Sequence, residues 1–159
     1  MISIRKATIE DLTVLFEFEQ GVLHAERPMD KTLKTSKTYY YDIPNLINDS
    51  KVELVIAEIN GIIAGCGYAK IKNARDCFQF NQFSYLGFMF TKENFRGKGV
   101  NHSIINYLYD WSLSQGIYEI RLEVYPTNIP AVKAYEKLGM VKTMQTMRID
   151  LRNKNLKDS

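Results

Sequence analysis

A short turn in the middle of the chain carries glycines and cations in the order Arg96-Gly97-Lys98-Gly99. A helical pattern follows it, and a helix start has unpaired N–H groups and a dipole that favours negative charge. Glycine inside a helix costs about 1 kcal/mol relative to alanine, and cations at a helix start are unfavourable. A bound diphosphate would offset both costs, because glycines let the main chain approach a phosphate closely. The turn therefore predicts an anion site, against the alternative of a tight turn with solvated cations.

Two familiar phosphate-binding motifs do not fit this turn. A dinucleotide fingerprint requires Gly-x-Gly-x-x-Gly, and its third glycine would fall at His102. A P-loop requires Ser or Thr after Gly-Lys, and Gly99 stands at that position. The phosphate ligand is therefore expected to be of another kind.

A second stretch with chemical potential runs from Asn128 to Gly139. Asn128 can cap a helix, Pro130 is tolerated in its first turn, and Gly139 can end it. The helix carries Tyr135, which is either a core tyrosine at helical spacing or a phenol that takes part in chemistry. In the alternating stretch 120–124, Glu123 lies on the side opposite the apolar residues. It is either a carboxylate that takes part in chemistry or an ion-pair partner for a neighbouring cation.

The elements that must position these residues follow from periodicity. Strands are predicted over residues 2–7, 52–59, 62–71, 80–91, 120–124 and 144–151. Helical patterns begin at Thr8, after Gly99 and at Asn128, with a short helix over 43–48. Asn60-Gly61 is a strong signal for a two-residue hairpin turn. The order β-α-α-β-β-β-α-β-α-β predicts an α/β domain with a central mixed sheet and helices on both faces.

Size and composition limit the class of protein. The 159 residues suit a single domain spanning 1–159, with 45% hydrophobic and 25% charged residues. A net charge of +3 with mixed signs argues against a dedicated nucleic-acid or membrane-surface protein. The start of the chain lacks the apolar run of a secretory signal, and no apolar stretch approaches the length of a membrane span. Cys66 and Cys77 do not have the close Cys-x-x-Cys spacing typical of metal sites. We expect a cytoplasmic protein with reduced thiols, no bound metal and no membrane partner.

Together the two stretches resemble the GNAT superfamily of acyl-CoA-dependent N-acyltransferases. The first signature, Arg/Gln-x-x-Gly-x-Gly/Ala, reads Arg96-Gly-Lys-Gly99-Val-Asn101 here, with Asn101 in place of Gly or Ala. The second, Asn-x-x-Ala-x-x-x-Tyr-x-x-x-Gly-Phe, is matched from Asn128 to Met140, with methionine replacing the last aromatic residue. The close match covers residues 85–140, and the rest agrees in element order.

The resemblance implies that acetyl-CoA is the acyl donor. Backbone groups at the end of the third meander strand would bind the pantetheine, and the turn and helix start would bind the diphosphate. Asn128 would mark where the next strand splays to admit the cofactor arm, and His102 is either a phosphate ligand or an exposed helix residue. The implied cofactor-binding residues are Met89, Phe90, Thr91, Arg96, Gly97, Lys98, Gly99, Val100, Asn101, His102, Asn128 and Tyr135.

The implied chemistry is attack of a neutral amine on a thioester. An alkyl ammonium has a pKa near ~10.4, so a base must remove a proton, and the departing thiolate needs a donor. An N–H near Thr91 would stabilise the oxyanion. Tyr135 matches the family's general acid, and Glu123 matches a base found in some members. Other candidates for the base are Glu26, His24 and Glu93.

The sequence leaves the acceptor open. Residues 20–41 and the last strand are expected to form its pocket, with Tyr39, Tyr40 and Tyr41 lining it or packing beneath the loop. We expect a small-molecule amine; protein N-termini or lysines are the alternative. The remaining alternatives are a CoA-binding regulatory module without turnover and a nucleic-acid binder that uses Lys92 and the cations of the turn. The protein is expected to be a monomer or homodimer.

Overall fold

The computed structural model describes residues 1–153 and contains one mixed sheet with helices on both faces. The strands are β1 (Ile2–Lys6), β2 (Val52–Ile59), β3 (Ile62–Asn73), β4 (Gln82–Thr91) and β5 (Ile120–Arg121). The helices are α1 (Leu12–Glu26), α2 (Ile43–Asn48), α3 (Val100–Ser114) and α4 (Ile129–Lys137). Short 3₁₀ helices cover Ile9–Asp11, Glu93–Phe95 and Leu151–Asn153.

The five strands lie in sequence order, β1-β2-β3-β4-β5. The first three pairs are antiparallel, and β5 lies parallel to β4. Asn60 and Gly61 connect β2 to β3 with φ values of 52° and 76°, as a type I′ hairpin turn requires. The predicted mixed sheet, the hairpin and the bounds of β2 and α2 are confirmed.

Each face of the sheet has its own apolar core. On one face α1 and α2 bury residues such as Leu15, Phe18 and Ile43 against β2 and β3. On the other, α3 buries Ile104, Ile105 and Leu108, and α4 contributes Tyr135 at the margin. None of the helices in residues 1–153 combines the length and apolar character needed to cross a membrane.

Two predictions from periodicity are wrong. The helical pattern that begins at Thr8 predicts Phe16 on the apolar face with Leu12 and Leu15, but Phe16 is 38% exposed and Phe18 lies in the core at 2%. The predicted last strand, 144–151, is absent from the described chain: residues 140–150 have no regular structure, and Leu151 begins a 3₁₀ helix. Apolar and charged residues alternate from Met147 onward, but no strand of the described residues pairs with the segment.

Candidate acyl-CoA site

A cleft opens in the sheet where β4 and β5 part. The two strands pair only at Ser84 with Ile120 and at Tyr85 with Arg121. β4 continues to Thr91, whereas the strand predicted over 120–124 ends at residue 121. At the paired end, Ser84 N donates a 2.9 Å hydrogen bond to Glu119 O, and Ser112 Oγ of α3 donates a 2.8 Å hydrogen bond to Ser84 Oγ. Beyond this end, no strand of residues 1–153 pairs with that edge of β4, which leaves it open to a ligand.

A bulge in β4 shapes this free edge. The register of β3 and β4 shifts between Cys66 and Tyr68, and Phe88 opposite the shift has a φ of 53°. Positive φ is unfavourable for a bulky side chain, so the surrounding packing must hold it. Phe88 is 2% exposed, and its carbonyl accepts a 3.4 Å hydrogen bond from Cys66 Sγ. The bulge redirects the strand just before the residues predicted to bind pantetheine.

The backbone beyond the bulge offers donors to the cleft. Lys92 donates its N–H to Ala64 O of β3 at 2.8 Å. Because N–H directions alternate along a strand, that of Thr91 points away from β3 and toward the cleft, whereas that of Phe90 points toward β3. The Phe90 ring packs on α1, where a Cβ on Gly21 would lie 2.5 Å from it. Of the three predicted pantetheine residues, Thr91 thus has a backbone N–H directed to the cleft, and Met89 lies in the bulge itself. Their contact with pantetheine stays a prediction.

The glycine turn joins the end of β4 to α3. Gly97 and Gly99 have φ values of 72° and 84°, which only glycine adopts without strain. A Cβ on Gly97 would meet no atom within 4 Å, so the turn borders open space. Gly99 is the N-cap of α3, and no side chain caps the helix. The first N–H groups, from Val100 to His102, therefore remain available to an anion.

Two exposed cations flank this helix start. Arg96 Nε lies 3.4 Å from Thr91 O, beside the end of β4. Lys98 Nζ lies 5.4 Å from the centroid of the Phe95 ring. Asn101 is half-buried and His102 is exposed. The predicted diphosphate residues thus lie together at one mouth of the cleft, and their contact with a phosphate stays a prediction.

Helix α4 follows β5 along the chain and packs against the core around α3. Asn128 Oδ1 accepts a 3.4 Å hydrogen bond from Ala131 N, as expected of an N-cap. Tyr135 is partly buried at the margin of the core around α3. Burial raises its pKa above 10.0, and the negative charge of Glu26 raises it further. The phenol therefore keeps its proton at neutral pH, as a general acid must.

The acceptor end is built on the last turns of α1 and the segment after it. Tyr40 donates a 2.6 Å hydrogen bond to Glu26 Oε2 and is 38% exposed. Tyr41 packs into the core, and Tyr39 is 57% exposed. Of the three tyrosines, Tyr41 packs beneath the segment, Tyr40 is tied to Glu26 and Tyr39 is largely exposed. That any of them lines the acceptor pocket stays a prediction.

A buried carboxylate holds this segment in place. Glu19 is fully buried, and its Oε2 accepts hydrogen bonds from Tyr40 N at 2.9 Å and Tyr41 N at 2.8 Å. Its Oε1 has no hydrogen-bond partner among the described residues. Sequence analysis did not identify Glu19, although its position indicates burial: it stands four residues after Leu15 and therefore lies on the same, buried face of α1.

A second polar cluster, also missed, links three distant segments at this end. Asp30 is 8% exposed and accepts hydrogen bonds from Tyr125 at 3.1 Å and Arg148 at 2.9 Å, as well as from Thr32. These donors hold the pKa of Asp30 well below its usual range, the Arg148 guanidinium most of all. Sequence separations of 95 and 118 residues hide such a cluster from any local pattern.

The candidate bases occupy different surroundings. Glu123 is exposed, and Arg121 pairs with Glu119 at 3.1 Å rather than with Glu123. Burial, and then the Glu123 charge, raise the pKa of Tyr85 to about 12, with Glu26 contributing as well. The charges of both carboxylates therefore act on the same phenol. His24 and Glu93 are exposed, and no described hydrogen bond draws them to the cleft.

Comparison with known proteins finds matches over most of the chain. Residues 15–140 match the profile of the acetyltransferase (GNAT) family. Streptothricin acetyltransferase of Escherichia coli is 37% identical over 60 residues, which are 38% of this chain and 34% of that protein. The match thus spans about a third of that relative's length.

Solved structures share the fold. A predicted acetyltransferase of Clostridium acetobutylicum, crystallised with acetyl-CoA, superposes with a TM-score of 0.72 at 19% identity, over 98% of this chain and 99% of that one. Glucosamine-6-phosphate N-acetyltransferase of Arabidopsis thaliana superposes with a TM-score of 0.68 at 21% identity, over 95% of this chain and 99% of that one. At these identities the likeness concerns the fold alone.

Proposed function

Because this chain belongs to the acetyltransferase (GNAT) family, we propose that it transfers the acetyl group of acetyl-CoA to a primary amine of a small molecule. The observation that carries the proposal is the cleft between β4 and β5, with the uncapped start of α3 at its mouth. The cleft offers backbone donors to an extended arm, and the helix start offers N–H groups to a diphosphate. The Clostridium relative contains acetyl-CoA on the same fold, which supports this choice of donor.

The proposed reaction proceeds by direct attack in a ternary complex. The amine nitrogen bonds to the thioester carbon after a carboxylate, Glu123 or Glu26, takes its proton directly or through water. The N–H groups of Met89 or Thr91 stabilise the oxyanion. As the C–S bond breaks, Tyr135 gives its proton to the departing thiolate. The nitrogen, which still carries an extra proton after the attack, releases it to restore the phenol, directly or through water.

A small acceptor is favoured by the construction of the acceptor end. The segment after α1 covers this end and is tied down by Glu19 and by the 2.9 Å hydrogen bond from Gln20 Nε2 to Thr38 O. A segment fixed over the acceptor end in this way suits a compact amine better than an extended peptide. The partial match to streptothricin acetyltransferase, whose name specifies a small-molecule acceptor, points the same way.

Two measurements test the proposal in sequence. Thermal melts with acetyl-CoA, and with NADH and ATP as controls, test the donor: a ligand at 100 times its Kd adds about 2.7 kcal/mol. Release of CoA thiol is then measured against a panel of small amines and lysine peptides. Stabilisation by acetyl-CoA alone with turnover of a small amine supports the proposal. Turnover of peptides only would favour a protein acceptor, and binding without turnover of any amine would favour a regulatory module.

A further inference from the structure

The side chain of Tyr68 extends over a neighbouring strand of the sheet. Tyr68 lies on β3 and pairs in register with Gly87 on β4. A Cβ on Gly87 would lie 2.5 Å from both the Cζ and the hydroxyl oxygen of Tyr68. The phenol therefore fills the space that a side chain at position 87 would occupy, and its hydroxyl lies over β4, the strand that borders the cleft. Glycine at this position permits the contact, because a larger residue would displace the ring.

Glu123 lies in the same row across the sheet. The last paired residues of β4 and β5 are Tyr85 and Arg121. Gly87 stands two residues after the first of them, and Glu123 stands two residues after the second. Because β4 and β5 run parallel, equal steps along the two chains keep these residues side by side. Tyr68, Gly87 and Glu123 thus form one row, with the cleft opening between the last two.

Tyr68 and Glu123 also share a face of the sheet. Leu122 packs in the core around α3, so the adjoining Glu123 is directed to the opposite face. Tyr68 belongs to the core of that opposite face, with α1 and α2. Burial raises the pKa of Tyr68, and the negative charge of Glu123 raises it further. The phenol therefore keeps its proton at neutral pH, and the carboxylate lies near enough for its charge to act on it.

The hydroxyl of Tyr68 is available to a ligand. The residue is 7% exposed, and its hydroxyl forms no hydrogen bond within residues 1–153. Glu19 Oε1 is the one side-chain polar atom of these residues that is fully buried without a partner. The unpaired hydroxyl of Tyr68 consequently retains contact with solvent, and the cleft beside β4 is where it meets that solvent.

Several titratable groups lie on the elements packed around this phenol. They are Glu19 and Glu26 of α1, Tyr41 of the following segment, Cys66 and Lys70 of β3, Tyr85 of β4 and Glu123 beyond β5. Tyr41 meets the ring of Tyr68 edge-on, with centroids 6.0 Å apart. Glu26 acts on the pKa of Tyr41 and Tyr85. Glu123 is the carboxylate whose charge acts on Tyr68 itself.

We propose that Tyr68 is a further catalytic residue, which relays a proton from the acceptor amine to Glu123; this inference rests on the proposed function. The phenol oxygen accepts a hydrogen bond from the ammonium group, and its O–H donates to a carboxylate oxygen of Glu123. As the ammonium proton moves to the phenol oxygen, the phenol proton moves to the carboxylate. The phenol is thereby unchanged, the carboxylate is protonated and the amine is neutral. An exposed carboxylate can then act on an amine inside the cleft without touching it.

The first test is a double-mutant cycle read through the pH dependence of kcat/KM for the amine. Tyr68→Phe removes the hydroxyl and keeps the ring, so kcat/KM should fall by about 10²-fold, with the acidic limb shifted as in Glu123→Gln. Because both residues serve one proton transfer, the double variant should be no slower than the slower single variant. Tyr109→Phe on α3 is the matched loss of a hydroxyl and should keep the parent's profile.

The outcomes separate the relay from the proposed function. Losses that multiply in the double variant, or a Tyr68→Phe profile equal to the parent's, overturn the relay while the acetyltransferase stands. A limb that shifts in Tyr85→Phe and not in Tyr68→Phe assigns the transfer to the other phenol and also overturns it. A parent that releases no CoA thiol with any amine overturns the proposed function and the relay with it.

A second measurement tests the contact of the two residues without activity. In NMR spectra of protein with ring-labelled tyrosine, the signal of Tyr68 is identified by its loss in Tyr68→Phe. As pH is lowered, this signal should follow the protonation of Glu123, and Glu123→Gln should abolish that response. A Tyr68 signal with the same pH response in Glu123→Gln would place the carboxylate out of reach and overturn the relay. Because the hydroxyl has no partner to lose, Tyr68→Phe should keep the parent's thermal midpoint and its rise with acetyl-CoA.

Discussion

The ring of Tyr41 stacks on the ring of Phe88, with centroids 4.5 Å apart and an interplanar angle of 26°. Phe88 is the bulge residue of β4, and Tyr41 belongs to the segment that covers the acceptor end. The contact therefore connects the strand proposed to bind the thioester with the segment proposed to position the amine. Glu19 controls this connection, because it holds the N–H of Tyr41 and that of its neighbour.

Replacing Glu19 should loosen the acceptor end more than the donor end. Glu19→Ala removes two charge-assisted hydrogen bonds, so we expect the free energy of unfolding to fall by about 3 kcal/mol. The KM for the amine should rise, while acetyl-CoA affinity stays near that of the parent. Calorimetry with acetyl-CoA and steady-state kinetics separate the two effects. Gln20→Ala, which loses a single hydrogen bond to Thr38, is the control and should have a smaller effect on both quantities.

Tyr135→Phe should reduce turnover while leaving donor binding intact. A general acid contributes on the order of 10²–10⁴-fold to rate, so we expect kcat to fall by about 10²-fold or more. Tyr109→Phe is the matched control, because that phenol on α3 also has a pKa raised by burial but lies outside the cleft. Equal kcat values for the parent and Tyr135→Phe would remove Tyr135 from the mechanism.

The two candidate bases can be separated by their pH dependence. We expect Glu123→Gln to lower kcat and to shift the acidic limb of the kcat/KM profile, because loss of the base leaves the amine protonated. Glu26→Gln should instead raise the KM of the amine, since Glu26 holds Tyr40 at 2.6 Å. If the profile of Glu123→Gln is unshifted and that of Glu26→Gln is shifted, the roles are reversed. Glu17→Gln, an exposed carboxylate on α1, controls for the loss of one charge.

Local patterns predicted most of the frame. Periodicity predicted the bounds of α2 and β2. The hairpin turn was predictable from Asn60 and Gly61 alone, because both residue types readily adopt the positive φ that the turn requires. The turn at Gly97 and Gly99 was likewise predictable from the sequence, because positive φ and an uncapped helix start depend on local residues. Together with the second motif, from Asn128 to Met140, this turn supports the resemblance to the family.

Features made by distant residues were not predicted. Phe88 has positive φ although its type disfavours it, because packing against Tyr41 and Cys66 overrides local preference. The Asp30 cluster joins residues 118 positions apart. The prediction of a last strand over 144–151 was wrong for a related reason. Alternation shows that a segment could form a strand, but the strand forms only where a neighbouring strand is available to pair with it.

The Asp30 cluster should make stability depend on acid pH. The folded-state pKa of Asp30 lies below its unfolded value, so its contribution is complete above the unfolded pKa and is lost as pH falls through the folded pKa. Arg148→Gln should therefore lower the thermal midpoint at pH 7, and its curve should converge with the parent's at strongly acid pH. Asp150→Asn, whose exposed carboxylate is held by Arg152 two residues away, should change the midpoint less. Parallel curves for Arg148→Gln and the parent at all pH values would contradict this role.

The glycine turn allows a comparison in which backbone strain is held constant. Gly97 and Gly61 have φ values of 72° and 76°, and a Cβ on either would meet no atom within 4 Å. Alanine at each should therefore cost a similar free energy, about 1 kcal/mol, through the left-handed conformation alone. Only Gly97 borders the proposed diphosphate site, so only Gly97→Ala should reduce the rise in thermal midpoint that acetyl-CoA produces. If Gly61→Ala loses as much of that rise, the loss reflects general destabilisation; if neither variant loses it, the diphosphate does not approach Gly97.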